Sequence, residues 1–223
     1  MEELAASSLD ILGVLTSPQL HANPRGAALR DDLARRGVDV REVSIAEFDS
    51  AADTDSPQGI LAIAAIPNRS LDEHGATTSA RILVLDAVQD PGNVGTLIRT
   101  AAALGASVTV GLPGTVDLWN AKVVRSAMGA HFRHPAVHCT WDELEEFLAR
   151  TETPVWGADA HGIALDDTAP PLRIALAVGN EGSGLSAHVR EASARLVSLP
   201  LAPGVESLNV AVAAGILLYQ LRP

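Results

Sequence analysis

The chain has one cysteine, no long apolar run and few basic residues, and each shortage argues against a class of protein. The single cysteine, Cys139, cannot form an internal disulfide, and no cysteine or histidine stands beside it at the spacing of a metal site. We therefore expect Cys139 to pack as a small apolar side chain and no metal to be bound. A reducing compartment, the cytoplasm, fits this composition.

Long apolar runs are also missing. The longest, Val210 to Tyr219, is shorter than the ~20 residues that cross a bilayer. The N-terminus lacks the basic stretch and apolar run of a signal peptide. We expect neither a membrane anchor nor export.

Positive charge is scarce, since 16 lysine and arginine residues stand against 27 acidic residues and the net charge is -11. Nucleic-acid binding normally depends on clustered Lys and Arg, so the overall charge argues against such a partner. Arginines do gather between residues 25 and 41, with Arg25 and Arg30 among them. Because acidic residues lie between them, this cluster is either a local RNA-binding patch or a solvated helix face.

What the sequence does contain is a regular alternation of apolar strands and helices from residue 80 onward. Strands separated by helices predict an α/β fold with a mostly parallel sheet covered on both faces. The predicted strands are residues 82–86, 107–111, 136–138, 155–158, 174–179 and 196–199, and the predicted helices are 94–104, 119–129, 141–150 and 207–221.

A small α/β module is predicted before this sheet. Residues 12–15 and 38–43 have the pattern of strands, and residues 25–36 have that of a helix ended by Gly37. Turn-forming residues follow the apolar run that ends at Ile66. We expect a first domain at 1–70, a linker at 71–79 and a larger domain at 80–223.

Three clusters of polar residues and glycines each follow an apolar strand, which is where parallel sheets bind their ligands. In the first, residues 86–101, Asn93 stands at the expected N-cap of a helix and Arg99 lies about two turns into it. The alternative is an ordinary helix start with a solvated arginine. No Gly-x-Gly-x-x-Gly fingerprint and no Walker lysine occur here, which argues against an oxidoreductase or a P-loop enzyme.

The second and third clusters lie near the C-terminus. Residues 177–186 place Glu181 among three glycines, which let a backbone approach a ligand closely. In residues 199–214, Ser207 and Asn209 precede a very apolar helix, and Ser207 is its expected cap. Glu181 as a solvated or helix-capping acid and Ser207 as a plain cap are the alternatives.

In this order and spacing, the three clusters resemble the three motifs of the SpoU (TrmH-like) family within the SPOUT superfamily of RNA methyltransferases. The resemblance covers residues 80–221, and the stretch from Lys122 to Ala130 is similar to the family's segment between the first two motifs. Lys122 and Arg125 share one helix face, so they either contact RNA phosphates together or form an exposed pair without function.

The resemblance implies fold, chemistry and assembly. The fold would be α/β with a mostly parallel sheet and a C-terminal trefoil knot, a rare exception to the rule that chains do not thread. The activity would be transfer of a methyl group from S-adenosylmethionine to a ribose 2'-hydroxyl. Family members dimerise through the knot region, so we expect a homodimer.

Site residues are implied as well. Our mechanistic hypothesis makes Arg99 bind the adjoining phosphate and stabilise the developing alkoxide, while Asn93, Glu181, Ser207 and Asn209 orient Arg99 and the ribose. Arg99 as general base is the alternative, which the tightly held proton of a guanidinium disfavours. The donor-binding positions carried over from the family are Gly179, Asn180, Glu181, Gly182, Leu199, Leu201, Ser207 and Leu208.

Two positions depart from the family's pattern. Leu201 stands where many relatives have Met, a volume-conserving change. Pro203-Gly204 stands where the family usually has Gly one position earlier, which affects the backbone contacts of that turn.

The N-terminal part is similar to the end of the L30e-like RNA-binding domain that often precedes this catalytic domain. Because the match starts only near Glu2, we expect that domain to be truncated, with its first strand and helix shortened or absent. The extension favours ribosomal RNA over transfer RNA as substrate. A transfer RNA methyltransferase and a non-catalytic RNA-binding protein of the same fold are the alternatives.

Overall fold

The chain divides into two compact units in the computed structural model, Met1–Asn68 and Arg69–Pro223. The structure describes residues 1–52, 54, 56–75, 78–165 and 170–222. Within the predicted linker 71–79, Leu71–His74 form a 3-10 helix, and the buried Leu71 packs in the core of the second unit. Ala76 and Thr77 of that linker lie outside the described residues.

The first unit is a three-stranded sheet with helices. Its elements are α1 (Glu2–Ala5), β1 (Ile11–Thr16), α2 (Pro24–Arg35), β2 (Val40–Glu42), α3 (Ile45–Ala51) and β3 (Ile60–Ala64). The central strand β1 pairs in parallel with β2 and antiparallel with β3. Leu33 of α2 packs on Val14 of β1 in a small core. Helix α3 was not predicted, although Ser44 and Glu47 form a capping box at its start.

The described residues of the second unit form six β-strands and five α-helices. They are β4 (Ala80–Asp86), α4 (Pro91–Ala103), β5 (Val108–Gly111), α5 (Ala121–Ser126), β6 (Ala136–His138), α6 (Trp141–Arg150), β7 (Val155–Ala164), β8 (Arg173–Gly179), α7 (Ala187–Ala192), β9 (Arg195–Ser198) and α8 (Val210–Gln220). The strands form one sheet in the order β6-β5-β4-β8-β7-β9, and every recorded pairing is parallel.

Both faces of this sheet are covered, as predicted. Strand β4 is buried along its whole length, and its side chains alternate between two cores. Leu83 and Leu85 pack with α4, α5 and α8, whereas Ile82 and Val84 pack with α6 and α7. The α/β fold with a mostly parallel sheet is confirmed, and the trefoil knot stays a prediction.

Two predicted helix caps are wrong. Helix α4 is capped by Asp90, whose Oδ1 accepts a hydrogen bond of 2.7 Å from the backbone N–H of Asn93. Helix α8 begins at Val210, and its cap is Asn209 rather than Ser207. A cap is set by the side-chain oxygen that reaches the N–H groups two or three residues on, and the Asn209 Oδ1 accepts from both of these, at 3.0 and 3.3 Å.

Other boundaries also differ. The helix predicted at 119–129 is reduced to α5, because Met128 and Gly129 adopt left-handed backbone with φ of 51° and 87°. The strand predicted at 155–158 continues to Ala164, with a register shift against β9. Helix α7 was not predicted. None of the helices in the described part of the chain is long and apolar enough to span a bilayer.

Candidate active site

Residues of β7, the loops that follow β8 and β9, and α8 surround one cavity. Because β4, β7, β8 and β9 are parallel, their carboxyl ends lie at the same edge of the sheet. The cavity has a volume of about 490 Å³, within the ~300–1,000 Å³ of small-molecule sites. Of the eight residues predicted to bind the donor, seven line it, namely Gly179, Asn180, Glu181, Leu199, Leu201, Ser207 and Leu208, and Gly182 does not.

A chain of hydrogen bonds joins the three clusters beside this cavity. The Asn209 Nδ2 donates to the Asn93 Oδ1 at 2.9 Å, and the Asn93 Nδ2 donates to a carboxylate oxygen of Glu181 at 2.7 Å. The direction is fixed, because the Asn209 Oδ1 is occupied in capping α8 and only its amino group is left to reach Asn93. Three side chains predicted from separate parts of the sequence therefore form one relay.

The glycine loop after β8 is fastened to the end of β4. Asp86 is buried, and its Oδ2 accepts hydrogen bonds from the backbone N–H and the hydroxyl of Ser186 at 2.6 and 2.8 Å. At the other end of the loop, the Asn180 Nδ2 donates to the carbonyl of Ala87 at 3.0 Å. The first cluster therefore holds both ends of the second.

Gly179 allows this loop to fold back on itself. The backbones of Asn180 and Gly184 bond each other at 3.0 and 2.9 Å in an isolated antiparallel bridge. A β-carbon at Gly179 would lie 2.2 Å from the carbonyl carbon of Gly184, far inside van der Waals contact. No other residue fits at position 179 unless the loop moves.

Arg99 lies away from the relay. It is exposed on α4, six residues after Asn93, which corresponds to about 9 Å along the helix axis. Arg99 is not one of the described residues that line the cavity. A single chain therefore brings together Asn93, Glu181, Ser207 and Asn209, but not Arg99.

Sequence reasoning missed a carboxylate in the cavity wall, Asp159. One of its oxygens accepts from the N–H of His161 at 2.8 Å, and the other forms an ion pair with Arg190 at 2.5 Å. Burial raises the pKa of Asp159. The hydrogen bonds and the charge of Arg190 together lower it by a larger amount, so the net shift of the pKa is downward. Its position directly after the apolar start of β7 was the available signal.

The arginines predicted to bind RNA in the first unit are paired with acids. Arg25 forms an ion pair with Glu2, and Arg30 forms one with Asp31 at 2.7 Å. In the second unit, Lys122 is exposed on α5. These ion pairs offset part of the positive charge of α2.

Cys139 is half-buried, and burial raises the pKa of its thiol to about 11. The thiol is therefore protonated at neutral pH, in keeping with a packing role. Among the described residues, no three His, Cys, Asp or Glu side chains are arranged to hold a metal ion.

Comparisons with known proteins point to one family. The model of the SpoU rRNA Methylase family matches residues 80–219, and that of the RNA 2'-O ribose methyltransferase substrate binding domain matches residues 1–70. The chain is 40% identical over 192 residues to the 23S rRNA (guanosine(2553)-2'-O)-methyltransferase RlmP of Bacillus subtilis, covering 83% of this chain and 73% of that protein. It is 33% identical over 222 residues to the mitochondrial rRNA methyltransferase 3A of Danio rerio, covering 77% of this chain and 51% of that protein.

A solved structure agrees with these relatives. The SpoU methyltransferase AviRb of Streptomyces viridochromogenes, in complex with the cofactor AdoMet, superposes with a TM-score of 0.86 at 25% identity, covering 99% of this chain and 85% of that one. Family models thus match both units, and the second matches along nearly its whole length. The chain belongs to the SpoU rRNA Methylase family.

Proposed function

We propose that this protein transfers a methyl group from S-adenosylmethionine to a ribose 2'-hydroxyl of ribosomal RNA. The observation that carries the proposal is the relay from Asn209 through Asn93 to Glu181, because it gathers one side chain from each cluster beside a cavity of suitable size. The names of the relatives and the AdoMet complex of AviRb support the same chemistry.

The cavity suits the donor in shape and in charge. Its walls combine the backbone of the glycine loop with the apolar side chains of Leu199, Leu201 and Leu208, which suit an adenine ring and a thioether chain. Carboxylates of Asp159, Glu181 and Glu206 also line it. Bound there, S-adenosylmethionine supplies an electrophilic methyl group on a sulfonium, and the carboxylates favour that positive charge.

The remaining site residues position the acceptor. In the proposed mechanism, the relay holds Glu181 and Asn209 in fixed orientations at the cavity rim, with Ser207 beside them, so that the ribose is oriented toward the methyl group. Arg99, which stays a cation, binds the adjoining phosphate and stabilises the alkoxide that develops on the 2'-oxygen, and the hydroxyl proton passes to solvent water as the new O–C bond forms.

A homodimer is part of this proposal. The outer face of α8 exposes Val212, Ile216 and Tyr219 along a groove of about 460 Å³ between α4 and α8. Asn209 lines both this groove and the cavity. A second copy on this apolar face would border the site, in keeping with the dimerisation through the knot region that the family resemblance implies. Replacement of Ile216 by Glu should give monomers in light scattering.

We assign residues 1–70 to substrate binding, with Arg25, Arg30, Lys122 and Arg125 as RNA contacts. The match of these residues to a substrate-binding family model supports the assignment, and the names of the relatives, which are rRNA methyltransferases, favour ribosomal RNA over transfer RNA. The cytoplasm, where ribosomal RNA is found in a bacterial cell, is the proposed location.

The test is transfer of tritiated methyl groups from S-adenosylmethionine to unmodified ribosomal and transfer RNA, followed by mapping of 2'-O-methyl nucleotides. We expect label at a ribose of ribosomal RNA, and no label with a Glu181→Ala variant. Label on transfer RNA alone would correct the substrate. A wild-type protein that binds RNA but transfers no label to either would show a non-catalytic RNA-binding protein.

A further inference from the structure

One part of this acidic chain carries a positive charge. Residues 91–141 contain four basic residues, Arg99, Lys122, Arg125 and Arg133, and one acidic residue, Asp117. The rest of the chain holds 12 basic and 26 acidic residues. The Asp117 carboxylate accepts a hydrogen bond from the backbone N–H of Trp119. The segment therefore has a net charge of +3 and the rest of the chain one of -14, so a polyanion is attracted to this segment more than to the rest of the chain.

An exposed apolar side chain lies in the middle of this segment. Met128 is 68% exposed, and its backbone is left-handed with a φ of 51°. Left-handed backbone is uncommon for a residue other than Gly, Asn or Asp and costs of order 1 kcal/mol or more, so it persists only where the surroundings impose it. The backbone is therefore strained at Met128, and the methionine side chain is exposed to solvent.

The position of Met128 follows from the contact between α4 and α5. Gly95 of α4 lies so close to α5 that a β-carbon there would come within 2.4 Å of Ser126 and 3.0 Å of the backbone nitrogen of Ala127. Met128 is the next residue, so it stands beside the helix that carries Asn93 and Arg99. Lys122 and Arg125 are three residues apart on α5 and share one helix face, and Met128 follows the end of that helix by two residues. All three side chains are exposed.

We propose that Lys122, Arg125 and Met128, named here the α5 ridge, dock the substrate RNA next to the active site. In this arrangement the two cations meet phosphates, and the Met128 side chain packs against an unstacked base near the target nucleotide. Methionine is among the apolar residues that proteins insert against bases beside basic contacts. The inference rests on the proposed function and adds a base contact that the phosphate contacts cannot provide.

The two kinds of contact predict different salt dependence. A phosphate contact releases counterions, so removal of Lys122 should weaken RNA binding and reduce the slope of log K against log salt by about 1. A base contact releases none, so removal of the Met128 side chain should lower affinity and leave that slope unchanged.

The experiment measures affinity for an in vitro transcript of bacterial 23S ribosomal RNA by filter binding, without donor, at several salt concentrations. We expect Met128→Ala to weaken binding roughly tenfold at constant slope, and Lys122→Gln to reduce the slope. The matched control is Leu172→Ala, because Leu172 is a similarly exposed side chain, at 73%, just before β8 at the opposite end of the sheet. This control should bind like the wild type.

Three results would overturn the α5 ridge. They are a Met128→Ala affinity within twofold of the wild type, a slope that falls in that variant, and a change in its oligomeric state, which would place Met128 between protein copies. The proposed function is tested separately, by methyl transfer with the wild-type protein. If that transfer occurs while Met128→Ala binds normally, the function stands and the ridge fails.

Discussion

Replacement of Asn93 by Asp should break the hydrogen bond to Glu181 without changing the size of the side chain. Asn93 donates to Glu181 and accepts from Asn209, and an aspartate can only accept. The bond from Asn209 would survive, but two carboxylate oxygens would meet where a hydrogen bond of 2.7 Å now stands. We expect Glu181 to swing away from the cavity rim.

The free energy lost in the Asn93→Asp variant can be worked out from the exposure of the two side chains and the distance between them. A hydrogen bond to a charged acceptor contributes ~1.5–3 kcal/mol, and two like charges about 4 Å apart repel by ~1 kcal/mol in water. Asn93 is half-buried and Glu181 is exposed, so solvent screens both terms and the lower values apply. A total of about 2 kcal/mol corresponds to roughly a thirtyfold loss in the rate of methyl transfer.

The assay is single-turnover methyl transfer at saturating RNA and donor. Asn23→Asp is the matched control, because it adds the same charge at the cap of α2, where aspartate caps as well as asparagine. Equal rates for Asn93→Asp and wild type at pH 8 would refute the relay.

Three further predictions concern other parts of the second unit. Arg99→Ala should abolish methyl transfer and leave donor affinity, measured by calorimetry, within a few-fold, and retained turnover would contradict the role of Arg99. Gly179→Ala should weaken donor binding roughly tenfold or more, because its β-carbon overlaps Gly184. Burial lowers the pKa of His131 and of His134 to about 4, so the unfolded state binds these protons first as the pH falls through 6.5. The free energy of unfolding should therefore drop by about 2 kcal/mol per histidine between pH 7 and pH 5 and level off below about pH 4, which urea titrations would measure against His131→Gln and His134→Gln.

The sheet could be predicted because its strands are short, apolar and separated by helices. A run such as Ile82 to Leu85 is buried on both faces, so it leaves a continuous apolar signal in the sequence. The clusters could be located for the same reason, since each begins where an apolar strand ends. The pattern of apolar and polar residues did not show which hydrogen-bond or ion-pair partner each polar side chain has.

Contacts distant in sequence account for what was missed. Asp159 is bound by Arg190 from another element, and Asp86 by Ser186, 100 residues away. The turn at Met128 depends on the close approach of α4 at Gly95. Arg99 was predicted beside Glu181 because the family's motifs act together, yet one chain leaves it on the outer face of α4. Periodicity reports which face of an element is buried, and it does not report which element covers it.

The corrected caps explain why two asparagines form the relay. If Asn93 capped α4, its side-chain oxygen would be turned to the backbone and could not accept from Asn209. Because Asp90 takes the cap, both ends of the Asn93 amide are available to other side chains. Asn209 must cap α8 and donate at the same time, which an amide can do and an aspartate cannot. The same reasoning predicts that Asn209→Asp preserves α8 and breaks the relay, whereas Ser207→Ala leaves both intact.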